Sequence, residues 1–242
     1  MKFVFVMAII LLQTDSFKEH QQKFERVKQA YTEKENAVKR LFQEKDIRFD
    51  GFHLFIRAFK KEMKLEVWVR EQDKEQYSLL TVYPFCTFSG SIGPKRKEGD
   101  LQIPEGIYQI NHFNPQSNFH LSLGINYPNA SDRILSDPRH PGGAIYIHGN
   151  CVTVGCIPIT DDKIKELYIL AVEARNNGQA SIPVHIFPTA LDVSSFAALE
   201  QEYKNAPALT NFWKNLQRVY TDFDKTKKLR PVHIDARGGY YF

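Results

Sequence analysis

The chain has 242 residues, a formal net charge of +4, 43% hydrophobic residues and 25% charged residues. That much apolar sequence supports a packed core and excludes a disordered chain. The positive charge is mild and spread out, with no Lys/Arg block. This excludes a nucleic-acid-binding arm and leaves a solvated basic surface, one that also suits an anionic polymer.

The chain opens with Met1-Lys2 and an apolar run from Phe3 to Leu12. At about ten residues the run fits a signal-peptide core and is too short to span a bilayer. Residues 1–16 are therefore expected to direct export to the periplasm or cell envelope. An uncleaved signal would give peripheral membrane association, and a buried N-terminal strand is the alternative. Residues 17–46 carry Phe24, Val27, Tyr31, Val38 and Leu41 at helical spacing, which predicts one long amphipathic helix packed on the domain as an arm over 17–48. Three strands are expected at 52–59, 65–69 and 79–83, forming an antiparallel meander. Residues 89–106 are dense in turn formers and read as surface loops; no trailing Lys-Ser/Thr follows, so they are not a phosphate-binding loop. Short strands follow at 107–110, 119–123 and 144–147. A helix capped by Thr160 or Asp161 comes next, with Ile164, Leu167, Tyr168, Ala171 and Val172 as its buried face. The last strand is 183–187. After Pro188 two apolar stripes, Phe196-Leu199-Tyr203 and Leu209 to Tyr220, predict a C-terminal helical extension over 191–242; the tail 238–242 is unassigned.

There are three cysteines, Cys86, Cys151 and Cys156. An odd count leaves at least one thiol free, and so few point to individual cysteine chemistry rather than stapling. Cys86, in Tyr83-Pro84-Phe85-Cys86, reads as core, and Cys151 as structural. The stretch from Gly142 to Thr160 reads GGAIYIHGNCVTVGCIPIT. An apolar strand delivers His148 to a turn at Gly149, and Gly155 precedes Cys156. A strand, a tight loop and a return bring the thiol beside the imidazole, which can take its proton and hold an ion pair. The N–H groups of Gly155 and Cys156 are candidates for an oxyanion hole, and a helix start close behind Cys156 would favour the thiolate. A buried core thiol, or a zinc site from His148, Cys151 and Cys156, are the other readings of these residues. The zinc reading lacks a fourth ligand and a familiar spacing.

The segment IHGNCVTVGCIPITD resembles the catalytic stretch of L,D-transpeptidases, in the YafK-like branch of the YkuD-type superfamily. The resemblance extends through YPFCTFSGSIGPK (83–95), GDLQIPEGIY (99–108) and FHLSLGINYPNASDR (119–133), and so covers about residues 50–190. It implies an α+β fold, with a mostly antiparallel β catalytic core over 49–190 and flanking helices. It also implies a cysteine acyltransferase acting on peptidoglycan stem peptides, with no cofactor and no metal. Cys156 would be the nucleophile, His148 the base and then the acid, and Gly155 an oxyanion donor. His120, Ser122 and Tyr127 would line the cleft, and Lys95 and Arg133 would meet an acidic stem peptide. The chain departs from the commoner Ser/Thr-His-Gly-Cys pattern: Thr153-Val154-Gly155-Cys156 lacks the second histidine. An amidase releasing a wall-linked peptide or lipoprotein, and a wall-binding protein with an inactive site, therefore stay open beside the transpeptidase. Because Gly149 follows His148, a backbone carbonyl is expected to orient the imidazole.

Overall fold

The computed structural model describes residues 15–242, so the signal-like run Phe3–Leu12 lies outside the described residues. The expected single N-terminal helix is two: α1 (Phe17–Gln22) and α2 (Glu25–Gln43). Phe24 takes an extended conformation between them, which turns both Phe17 and Phe24 against the core. Ser16 closes a capping box on α1.

Seven strands come from the expected segments: β1 (Phe52–Phe59), β2 (Lys64–Glu71), β3 (Ser78–Pro84), β4 (Gly106–Asn114), β5 (Ser122–Ile125), β6 (Tyr146–His148) and β8 (Pro183–Phe187). One short strand, β7 (Ile157–Pro158), has no counterpart among them. The strand expected over 119–123 starts only at Ser122, because His120 has φ +70° and turns the chain before pairing can begin. All eight form one sheet in the order β3-β2-β1-β8-β4-β5-β6-β7. β1 pairs in parallel with β8, and β6 with β7; the other junctions are antiparallel. The fold is thus α+β with a mostly antiparallel sheet.

β1 is buried along nearly its whole length, as its apolar sequence FHLFIRAF requires of a strand covered on both faces. Alternation sends Leu54, Ile56 and Ala58 into the larger core, which also holds Val27 and Phe42 of α2. That core is completed by α4 (Asp161–Asn176), capped by the Thr160 side chain. Phe55 and Phe59 point the other way, toward α5 (Val193–Glu202) and α6 (Pro207–Thr226). Pro207 sits in the first turn of α6, where its missing N–H costs nothing. The helical extension expected to residue 242 ends at Thr226; beyond it β9 (His233–Ile234) pairs with β10 (Tyr240–Tyr241) of the unassigned tail, and Tyr240 is buried against α6. A short helix α3 (Ala130–Leu135) completes the described elements. No described helix is long and apolar enough to cross a membrane.

Two polar groups bind the sheet to α6. Lys60 Nζ, fully buried, meets Glu105 Oε1 at 2.9 Å and donates to the carbonyls of Gly93 and Ile103. The other oxygen of Glu105 accepts from Trp213 Nε1 at 2.7 Å. Nearby, His185 is buried among Phe55, Phe187 and the Arg57 guanidinium, and its Nδ1 has no partner among the described residues. Burial first, and the Arg57 charge second, push its pKa down to about 3. A depressed histidine favours folding above its unfolded pKa and opposes it as pH falls. Stability should therefore decline with a one-proton slope from about pH 6.5 toward the folded value. His185→Phe should flatten that limb in denaturant titrations at several pH values; an unchanged slope would assign the acid sensitivity to other groups.

Candidate active site

Strand β6 ends on His148 and β7 begins just after Cys156. The two pair in parallel, Ile147 with Ile157 and His148 with Pro158. Residues paired across strands share a face and side chains alternate along each strand. Ile147 and Ile157 therefore enter the core. His148 closes β6 and Cys156 stands immediately before β7, so this pairing sets the end of the imidazole-bearing strand alongside the turn that carries the thiol. Ser122 pairs with His148 from the other side, in β5. The helix begins at Asp161, as its expected cap required, but β7 lies between it and Cys156, too far for its dipole to act on the sulfur.

The imidazole is 1% exposed. Its Nδ1 donates to Gly149 O at 2.5 Å, which places the proton on Nδ1 and leaves Nε2 with a free lone pair. The Phe119 ring stacks on its face, centroids 4.6 Å apart and planes 30° apart. Gly149 has no room for a side chain: a Cβ there would lie 2.5 Å from Asp161 Oδ1 and 2.9 Å from Phe119 O. The backbone orientation of the imidazole agrees with the expectation drawn from the glycine.

Cys156 is the one free cysteine among the described residues and is partly buried; its Sγ donates to Ala144 O at 3.7 Å. Burial pushes the thiol above its ordinary pKa, offset in part by the backbone of Tyr146 and the charge of Lys95. Burial pushes His148 below the usual imidazole value, offset in part by the Gly149 carbonyl. Both shifts favour the uncharged forms. Burial thus works against the ion pair expected from the sequence, because it penalises the charge on either group.

Gly155 has φ +117°, and a Cβ would approach Gln102 O to 3.0 Å, so a glycine is required there. Its N–H is not free: it donates to Ser89 Oγ at 2.8 Å. The Cys156 N–H donates to Thr153 Oγ1 at 2.9 Å. The two expected oxyanion donors are thus covered by hydroxyls in the resting structure. The other expected residues divide. Ser122 is buried beside His148. His120 is half-buried next to Phe119, with Nε2 unpartnered among the described residues. Tyr127 does not present its hydroxyl to the thiol: it donates to Pro141 O at 2.8 Å and pins a loop. Lys95 is buried on Asp100 and reaches the site only through its charge. Arg133 is exposed on α3.

The cysteine reading needs a larger correction. Cys86 is not a core thiol; it is disulfide-bonded to Cys151 across 65 residues of chain, with Cα atoms 5.5 Å apart. Cys86 N also donates to Pro158 O of β7, so the bond ties the loop after β3 to both sides of the Cys156 turn. The zinc reading loses Cys151 to this bond. Closing a loop of that length is worth about 2–4 kcal/mol. Cys86→Ala should therefore lower the unfolding midpoint measured without reductant, and equal midpoints with and without reductant in the wild type would contradict this.

Residues 55–186 match the family model of YkuD, the L,D-transpeptidase catalytic domain. The chain belongs to that family. It is 33% identical over 193 residues to a protein of Escherichia coli K12 named "Putative L,D-transpeptidase YafK", covering 79% of this chain and 74% of that one, and equally so to its O157:H7 counterpart. Among solved structures it is similar to the helical cell shape determining protein Pgp2 of Campylobacter jejuni, with TM-score 0.46, 16% identity and 77% and 74% of the two chains covered. Bd1075 of Bdellovibrio bacteriovorus gives TM-score 0.39 and 22% identity, over 76% of this chain and 74% of that one. In this L,D-transpeptidase domain, Val154 stands where the commoner motif has its second histidine. It is 76% exposed and offers the thiol no proton partner. Thr153 keeps a hydroxyl at the turn and also donates to Cys156 O at 2.8 Å.

Proposed function

We propose that the protein is a cysteine acyltransferase of the cell envelope that acts on peptidoglycan stem peptides through a thioester on Cys156. The observation that supports this reading is the β6–β7 pairing, which brings the strand ending on His148, whose Nδ1 carries the proton, beside the turn that holds the one free thiol among the described residues. Because burial disfavours the charge on both groups, proton transfer accompanies attack. As Sγ bonds to the amide carbonyl carbon, Nε2 takes the thiol proton. The tetrahedral oxyanion needs donors, and the N–H groups of Gly155 and Cys156 become available when the substrate carbonyl displaces the Ser89 and Thr153 hydroxyls. Collapse breaks the C–N bond, and the imidazolium returns its proton to the leaving amine. An incoming amine then attacks the thioester, gives a proton to Nε2 and releases the thiol; water in its place gives hydrolysis.

The test is incubation of the purified chain with tetrapeptide-bearing muropeptides, with and without an amine acceptor. Cross-linked or amine-exchanged products support the transferase. Stems shortened only by water would leave an amidase, and no product together with no carbapenem adduct on Cys156 would leave a wall-binding protein.

A further inference from the structure

The segment that covers His148 is itself held from outside the family domain. Arg26 of α2 lies before the matched residues 55–186, yet its Nη1 donates to the carbonyls of both Ser117 and His120, the latter at 2.8 Å. Between these carbonyls sits Phe119, stacked on His148. The segment is costly to hold. His120 is a non-glycine residue at φ +70°, and its buried Nε2 has no partner among the described residues. Backbone strain and an unpaired polar group persist only where the surroundings impose them. Here Arg26 imposes them on one side; Leu121 O, which accepts from Gly149 N, does so on the other. The arm is fixed in turn on α4, by Tyr31 donating to Glu173 and by Lys34 pairing with Asp162.

We propose that the N-terminal arm completes the active site, with Arg26 as a positioning residue that keeps Phe119 stacked on His148. The inference rests on His148 being the base. Without the clamp the turn relaxes, Phe119 leaves, and water reaches the imidazole. Few other groups act on that ring: Gly149 O accepts from its Nδ1, Ser122 pairs with His148 from β5, the Cys156 turn lies ahead of β7 on the other side, and Asp161 of α4 is occupied by Asn150 N at 2.7 Å. Hydration therefore decides its proton affinity.

The experiment is an NMR pH titration of the His148 ring proton in the full chain, assigned with His148→Gln, alongside turnover. Arg26→Ala should move the midpoint upward, toward the ordinary value of about 6.5. It should also lower turnover about tenfold or more, as displaced catalytic groups do. Arg26→Lys, which keeps one donor, should recover part of both. Phe119→Ala should match Arg26→Ala, and the double variant should add nothing further. Lys34→Ala loosens the same helix without touching the turn and should leave the midpoint in place. An unmoved midpoint in Arg26→Ala, additive effects in the double variant, or an equal shift in Lys34→Ala would overturn the proposal. A shifted midpoint in a chain that turns over no wall peptide would support the clamp and refute the transpeptidase reading, so the two can fail separately.

Discussion

Cys156→Ala should abolish acyl transfer to muropeptide acceptors and the carbapenem adduct while leaving the unfolding midpoint close to wild type. Cys156 is the free thiol in the turn beside the strand that ends on His148, and no other described cysteine can substitute, since Cys86 and Cys151 are bonded to each other. The expected loss is on the order of 10⁴-fold or more, the scale seen when the nucleophile of a catalytic set is removed. His148→Gln should come close to it, because a glutamine cannot take the thiol proton. In the double variant the losses should not multiply, since thiol and imidazole act in one step. Mass spectrometry and product chromatography read both effects. Substantial turnover surviving in Cys156→Ala would remove the covalent mechanism outright.

Glu105→Ala should destabilise the fold more than loss of the Cys86–Cys151 bond does. It leaves the Lys60 ammonium, which has no exposure to solvent, without its carboxylate, and it leaves Trp213 Nε1 and Gly93 N without acceptors. An uncompensated buried charge costs about 3–5 kcal/mol. For a chain of this size that corresponds to a fall of roughly 10 °C in the unfolding midpoint. Removing both charges together, as Lys60→Met with Glu105→Leu, should restore much of the loss, because the desolvation cost of the ammonium disappears with it. Calorimetry on the single and double variants decides the matter: a double variant no better than Glu105→Ala would mean that the acceptors for Trp213 and Gly93, not the buried charge, dominate. The pair joins the β1–β2 turn, the loop before β4 and helix α6, so its loss should also loosen the C-terminal helices from the sheet.

Local pattern determined a good deal of this protein. β1 and β8 read directly as strands with their observed bounds, because a strand covered on both faces needs a short continuous apolar run that is visible locally. Thr160 announced its helix by its own capping chemistry, and the stripes of α5 and α6 by helical spacing. The ordered motifs between Tyr83 and Asp161 determined the family, and the proposed pairing of Cys156 with His148 was drawn from them. What only the tertiary structure decided are facts of pairing between distant segments. The break at Phe24 follows from packing against a core that local propensity cannot see. The Cys86–Cys151 bond depends on two loops 65 residues apart meeting at β7, and no spacing rule reports that. The shifts of His148 and Cys156 toward their uncharged forms come from burial, a property of everything packed around them. In the sequence Arg26 is one more charge on a solvated helix. Only the folded chain sets its guanidinium on the carbonyls of the turn that covers His148, because hydrogen bonds to backbone carbonyls carry no signature in the sequence that accepts them.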